Sequence, residues 1–417
     1  MSQWSSSIGF IFAVIGSAVG LGNIWRFPIT VQENGGGAYL LPYLTITFLI
    51  GLPMMIVAVS AGRKYGTDVI NCFNYLKKGW VGWIAVSTAL LIQSFYVVIM
   101  GWILAFAWFA LTDFTTSFAS FTNSYFPVLF FLFSLVLTAS ILALGVEDGI
   151  ERLTTFAIPT LFVSMIALTV YSMTLSGFWS GFDYFLSPNF SVLDDPDKWD
   201  SAFGQSFFSL TIGSGVLVTY GSYLEKDTNI PKMSVIITCA NVFVAFLAGL
   251  IIFPLVFTYL SPSELEAGRQ LAFTTFPKVF ANMPYGELLG LFFFLLLYLA
   301  ALSTSVGSFE VPISVGIGKG LSRIKSTVLI SSFILLLGIP SVLSYTVLDL
   351  RYGATKILDL VNSLTGSYFL PVSALLMAVV LTWIPSEPVT ESRTAYLITK
   401  FVTPVLLIIV IITSFLG

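Results

Sequence analysis

Two glycine pairs, Gly20-Leu21-Gly22 and Gly213-Ser214-Gly215, sit in the middle of otherwise apolar runs of this 417-residue chain. Glycine costs about 1 kcal/mol against alanine in a helix interior, and two in close succession invite unwinding. Beside them stand Ser17 and Asn23 at the first pair, and Gln205, Ser209, Thr211 and Ser214 at the second. A helix that unwinds at membrane depth ends its first half in free carbonyls, which suit Na+ or an ammonium group. Its second half begins with free N–H groups and the positive end of the dipole, which suit a carboxylate. Sodium is a hard cation that takes oxygen ligands, and Asn23, Ser209, Asn241, Ser303 and Thr304 could supply them. Two plainer readings compete. Glycine pairs also let membrane helices pack closely, and a lone membrane Ser or Thr commonly bonds its own helix backbone. The polar residues gathered at both pairs favour a cavity, because unwound backbone is tolerated at membrane depth only where protein buries it or it lines one.

Enzyme chemistry lacks its usual parts. The chain has no histidine, which removes the commonest zinc ligand and the usual general base. Intramembrane acids are few, and no enzyme is expected. Hydrophobic residues make up 57% of the chain and charged residues 9%, a composition that a soluble globule could not hide from water. A bilayer core of about 30 Å takes roughly 20 apolar residues per helix. Eleven stretches qualify, at 8–30, 38–61, 81–111, 126–145, 154–176, 201–224, 231–260, 285–318, 325–345, 357–383 and 395–416. Their continuous apolarity predicts helices, since barrel strands would alternate. The net charge of -3 is scattered, so the bilayer is the expected partner and nucleic acid is not. With the N terminus cytoplasmic, eleven Lys and Arg fall in inner loops against five outside. That follows the positive-inside rule and predicts a multi-pass protein of the cell membrane. Cys72 then lies in an inner loop and Cys239 within a helix, so no disulfide is expected.

The elements that position the glycine pairs follow from counting. The pair in span 6 comes five spans after the pair in span 1, an odd offset, so the second copy runs opposite to the first. That is the pattern of an inverted repeat of five plus five helices, with the binding site where two discontinuous helices meet. The prediction is an all-α polytopic membrane protein with helices 1 and 6 broken. One transporter domain covers 1–417, with 8–176 as the first repeat, 201–383 as the second and 395–416 as an additional helix 11. The connections at 177–200 and 261–284 are expected to hold short helices that cap the bundle.

The run GSAVGLGNIWRFP at 16–28, with ENGGGAYLLPY at 33–43, resembles the signature of the neurotransmitter:sodium symporter family. Further matches lie in GQSFFSLTIGSG at 204–215, TYGSYLEKD at 219–227 and ALSTSVGSFE at 301–310. The similarity covers essentially the whole chain and is that of the shorter, eleven-helix prokaryotic members with the leucine transporter-like fold. It implies sodium-coupled symport of a neutral amino acid by alternating access, with two sodium ions. The first would be held by Ala18, Asn23, Ser209 and Asn241, the second by Gly16, Val19, Ala300, Ser303 and Thr304. The substrate carboxylate would meet the Gly22 amide and the Tyr96 hydroxyl, and its amine the carbonyls near Ala18, Phe208 and Thr211. Phe208 would be the lid. Ser209 and Thr304 would adjoin substrate as well as sodium. Monoamine carriers of the family have an aspartate where Gly20 stands, so a substrate bringing its own carboxylate fits better. The side-chain pocket would be Ile92, Ser214 and Ser308. The last two are larger and apolar in the leucine transporter, which implies room for bulky hydrophobic and aromatic side chains.

The chain also departs from its family. Arg26 matches an outer-gate arginine whose aspartate partner is replaced by Asn362. At the inner gate the usual arginine and aspartate fall at Met1 and Gly318, leaving Trp4 and Tyr223 to close that side by packing. Chloride dependence stays open, because Ala245 is neither the serine of chloride-using members nor the acid of chloride-independent ones. Glu310 lies deep in span 8 and is a candidate proton site, with a structural hydrogen bond as the other reading. An ion channel and a non-transporting amino-acid sensor of the same fold are the alternative functions. Oligomeric state is not legible.

Overall fold

The computed structural model describes residues 4–113, 116–187, 190–259 and 271–416. Among them, nine continuous helices are long and apolar enough to cross a bilayer. They are Gly36–Tyr65, Gly79–Thr112, Phe126–Ala143, Val146–Ser172, Ile230–Tyr259, Gly286–Gly318, Arg323–Leu343, Ile357–Trp383 and Arg393–Ser414, which are spans 2 to 5 and 7 to 11. Span 1 is a bent pair, Ser7–Ala18 and Gly22–Glu33, with 48° between its halves. Span 6 is Pro196–Ser209 and Val216–Gly221. The protein is an all-α polytopic membrane protein in which helices 1 and 6 are both discontinuous.

Spans 3 and 8 form the centre. The most apolar window of span 3 is 83% buried, whereas those of spans 4 and 9 are 33% buried and face outward. Spans 3 and 8 pack along each other, and the broken helices lie against this pair. A helix that is apolar all round has no solvent face to orient it. Placement here comes from close backbone approach instead. A Cβ on Gly62 of span 2 would strike the Val218 carbonyl, and one on Gly221 the Val59 carbonyl, so these glycines let span 2 cross the short half of span 6 at backbone contact.

Two boundaries differ from expectation for identifiable reasons. Span 5 begins at Val146 instead of near 154, since its π-helical first turn, Val146–Glu151, carries acids that a hydropathy reading excludes. Glu151 is nonetheless buried, held by hydrogen bonds from the N-terminal segment. Span 6 begins at Pro196, where Asp195 caps the helix by accepting from the Asp197 N–H. Short helices Phe178–Leu186 and Leu271–Ala281 lie in the two long connections; positions 260–270 of the second fall outside the described residues. A two-stranded hairpin, Arg351–Tyr352 with Thr355–Lys356, joins spans 9 and 10. There Lys356 and Arg351 hold the exposed Asp349 carboxyl below its ordinary range. Cys72 and Cys239 are free. Burial pushes the Cys72 thiol, in the connection after span 2, up to about 12, leaving almost no thiolate at neutral pH.

The Gly62 crossing is directly testable. Gly62→Val forces side-chain atoms into the Val218 backbone, and overpacking of this kind costs about 1–3 kcal/mol or more. Thermal unfolding of the purified protein in detergent should show a clear fall in Tm, while the nearby Gly66→Ala, where nothing lies within 4 Å, should lower it only by the cost of its left-handed backbone.

Candidate functional site

The first half of span 1 ends because Val19 turns out of the helix at φ -87°, ψ 88°, although its N–H still reaches the Ile15 carbonyl. The chain restarts as a π-helical turn, Gly22–Arg26. Between the halves, the Leu21 N–H points at the Tyr96 hydroxyl of span 3, 3.4 Å away. The break in span 6 needs left-handed backbone at Thr211, Gly213 and Gly215. Glycine takes that conformation freely, whereas Thr211 at φ 54° stores about 1–3 kcal/mol of strain. Ser214 holds the turn by donating to the Thr211 carbonyl at 2.7 Å, and Ser373 of span 10 donates to the Gly213 carbonyl at 2.6 Å.

The two breaks face one another across a small cavity. All the residues implied for substrate line it: Ala18, Gly20 and Gly22, Ile92 and Tyr96, Phe208, Ser209, Thr211 and Ser214, and Thr304 with Ser308. Ser17 and Leu370 join them; Leu370 gave no sequence signal, being one apolar residue among many. A Cβ on Gly20 would strike the Thr304 hydroxyl and come within 2.9 Å of the Tyr96 hydroxyl oxygen, so a larger residue displaces cavity-lining groups. Beyond Phe208 lies a vestibule of about 470 Å³ on the face away from the N terminus. Phe208 belongs to the walls of both spaces, and the Arg26 guanidinium sits 5.0 Å from its ring centre. Arg26 and Asn362 line the same vestibule.

Two oxygen clusters flank the cavity. In the first, Asn23 Nδ2 donates to the Asn241 carbonyl and to Asn241 Oδ1, both at 2.8 Å, and Asn241 Nδ2 donates to Ser209 Oγ at 3.2 Å. Asn23 Oδ1 is left buried without a hydrogen-bond partner, an arrangement costing about 1–3 kcal/mol unless something occupies it. In the second, Ser303 Oγ donates to the Gly16 and Ala300 carbonyls, each at 2.9 Å, and Thr304 Oγ1 donates to Gly16 at 3.1 Å. Val19, fully buried, adjoins them at the break. Beside the first cluster, Gln205 Nε2 donates to the Gly22 carbonyl at 2.7 Å, while Gln205 Oε1 and the Tyr43 hydroxyl are buried without partners. Ala245 is buried and offers neither a hydroxyl to an anion nor a carboxylate to replace one.

The N-terminal face is closed. Trp4 Nε1 donates to the Tyr220 carbonyl at 3.1 Å, and its ring meets Tyr220 and Tyr223 edge-on. Tyr223 donates to Glu310 at 2.8 Å. Glu310, fully buried, is also gripped by Arg323 through two hydrogen bonds, 3.0 and 2.7 Å, and Arg323 Nε donates to the Leu142 carbonyl at 2.7 Å. Arg323 and Glu151 escaped the sequence reading. Arg323 counts there only among the inner-loop cations, and Glu151 is not singled out at all. Glu151 accepts from the Ser5 N–H at 2.9 Å and from the Ser5 hydroxyl, tying the chain before span 1 to span 5. At Gly318 the space a side chain would take is filled by the Asp68 carboxylate, which caps the following helix. Met1 lies outside the described residues.

Known proteins resemble this chain along its whole length. The family model for the sodium:neurotransmitter symporter family matches residues 1–127 and 128–416. An uncharacterized sodium-dependent transporter of Bacillus subtilis, YhdH, is 36% identical over 98% of this chain and 96% of its own length. The sodium-dependent neutral amino acid transporter B(0)AT2 of Mus musculus is 29% identical over 60% of this chain and 40% of its own. Among solved structures, that of MhsT in complex with L-phenylalanine superimposes with a TM-score of 0.88 at 35% identity, covering 99% of this chain and all of MhsT.

The Glu310–Arg323 pair makes a stability prediction. Removing one partner of a buried, hydrogen-bonded ion pair costs about 3–5 kcal/mol, whereas replacing both can be nearly neutral. Arg323→Gln should therefore lower Tm strongly, and Glu310→Gln combined with Arg323→Gln should recover much of the loss, as read by thermal unfolding in detergent.

Proposed function

This chain belongs to the sodium:neurotransmitter symporter family, and we propose that it is a sodium-coupled symporter of neutral amino acids, bulky apolar and aromatic ones included. Its family consists of sodium-dependent transporters, and the chain is a multi-pass membrane protein. One observation carries the finer reading: the cavity between the breaks is lined by hydroxyl, backbone and apolar groups, with no charged side chain among the described residues. A zwitterion brings both of its charges to such a place. Its carboxylate meets the Gly22 amide and the Tyr96 hydroxyl, and its ammonium the carbonyls near Ala18, Phe208 and Thr211. Ala18, Asn23, Ser209 and Asn241 then hold a first sodium beside the carboxylate, with Asn23 Oδ1 as the oxygen otherwise left over. Gly16, Val19, Ala300, Ser303 and Thr304 hold a second. MhsT, similar throughout its length, was crystallised with L-phenylalanine, which supports an aromatic substrate in the space between Ile92, Ser214 and Ser308.

Alternating access follows from what closes each side. Phe208, with Arg26 and Asn362, separates the cavity from the vestibule. Trp4, Tyr223, the Glu310–Arg323 pair and Glu151 shut the N-terminal face, which we assign to the cytoplasm of a cell-membrane carrier. Glu310 in this reading is a gate residue, held in place by two hydrogen bonds from Arg323 and one from Tyr223. Two sodium ions with a zwitterion move two charges, worth about 4.6 kcal/mol at 100 mV, enough for roughly a thousandfold accumulation.

Uptake into proteoliposomes tests the function. Labelled phenylalanine or leucine should enter saturably, only with a sodium gradient, and faster with a negative interior. Uptake unaffected by sodium, competition by glycine and alanine alone, or a non-saturating current would each overturn it. Ser308→Phe should narrow the side-chain space, lowering kcat/KM for aromatic substrates about tenfold or more while sparing alanine, in keeping with about 1–3 kcal/mol for a pocket of altered size.

A further inference from the structure

A second apolar cavity of about 670 Å³ lies between span 2, span 11 and the segment entering span 6. Its walls are Leu49 and Ile50 of span 2, Phe203 of span 6, and Val402, Leu406 and Ile409 of span 11. Leu49 is 57% exposed and Ile409 49%. Both stand on membrane-spanning helices, so the cavity opens sideways onto hydrocarbon. Its end away from the N terminus changes character, for Trp199, Asp194 and Asp200 close it there. An indole at this level is the usual marker of the membrane–water interface. No basic side chain stands in the wall, and Lys198 on the same segment turns to Asp195 at 3.8 Å.

An apolar body with an acidic mouth at the headgroup level selects an amphiphile whose head is a cation. In a bilayer that is a phospholipid with a primary ammonium head. A quaternary head carries charge without N–H donors, and an anionic head is repelled by the two carboxylates. We propose that this groove binds one phosphatidylethanolamine of the leaflet away from the N terminus, its ammonium at Asp194 and Asp200 and one acyl chain between spans 2 and 11. Asp200 gives the site a route to the transport machinery. Its carboxylate accepts from the Thr413 hydroxyl of span 11, and the same residue lines the vestibule. It stands near the start of the helix Pro196–Ser209, whose far end carries Phe208 and Ser209. A lipid that holds Asp200 and span 11 together therefore steadies the helix bearing the lid.

Native mass spectrometry of the purified protein, exposed to equal amounts of phosphatidylethanolamine, phosphatidylcholine and phosphatidylglycerol with identical acyl chains, tests this. Wild type should retain one phosphatidylethanolamine about tenfold over phosphatidylcholine, the size of one charge-assisted hydrogen bond, and added phosphatidylethanolamine should raise Tm by mass action. Ile409→Trp, which fills the groove, should abolish the retained lipid. Asp194→Asn, at an exposed position, should reduce the preference and leave the fold intact. Equal retention of the three lipids by wild type, a preference for phosphatidylglycerol, or undiminished phosphatidylethanolamine on Ile409→Trp would each overturn the assignment.

Discussion

Two helices are interrupted at a depth where no bulk water can satisfy the freed backbone, and the protein is organised around the groups that do so instead. The Gly16 carbonyl receives Ser303 and Thr304 from span 8, the Gly22 carbonyl receives Gln205 from span 6, and the Gly213 carbonyl receives Ser373 from span 10. The Leu21 N–H points to Tyr96 of span 3. A buried peptide group without a partner costs several kcal/mol in hydrocarbon. Each rescue therefore draws a polar side chain from a different span to one place. Ser303, Thr304 and Tyr96 are also proposed ion and substrate ligands, so satisfying the broken backbone and building the site overlap as structural tasks.

The distribution of charge follows from the same requirement. Near the breaks the polar groups are neutral, and full charges stand one layer away, with Arg26 over the Phe208 ring on one side and Glu310 with Arg323 on the other. A fixed charge inside the cavity would need its own partner and would compete with a zwitterion and two cations for the few available dipoles. Outside that layer, ionic groups can be paired and opened without disturbing the ligands. The two faces are unequally closed. The N-terminal face is sealed by the Trp4 ring, the Glu310–Arg323 pair and the Glu151 carboxylate, whereas the Phe208 ring with Arg26 beside it stands between the cavity and the vestibule.

Asn362 and Gly318 stand where the resemblance implies gate aspartates, yet the N-terminal face is not left open. Glu310 and Arg323 lie on consecutive helices joined by a tight turn, so their approach requires no distant element. Glu151 reaches the N-terminal segment because a π-helical turn brings an acid of span 5 against the Ser5 backbone. The Asp68 carboxylate fills the space beside Gly318. Closure here is shared among one ion pair between neighbouring helices and several contacts between segments distant in the chain.

By itself the sequence determined what local chemistry determines. Composition and run length specified a helical membrane protein and most span limits. The glycine pairs marked both breaks because glycine's cost in a helix is intrinsic to the residue. The family motifs then named side chains that the structure gathers around one cavity. Tertiary structure alone decided which polar group meets which. Arg323 as the partner of Glu310, Glu151 as the anchor of the N terminus, Leu370 in the cavity wall and Asp200 shared by two cavities carry no local signature. The start of span 5 was misplaced for the same reason, since hydropathy assigns an acid to water unless its hydrogen-bond donors are known. Those donors come from residues far away in the chain, and only the folded bundle brings them within reach.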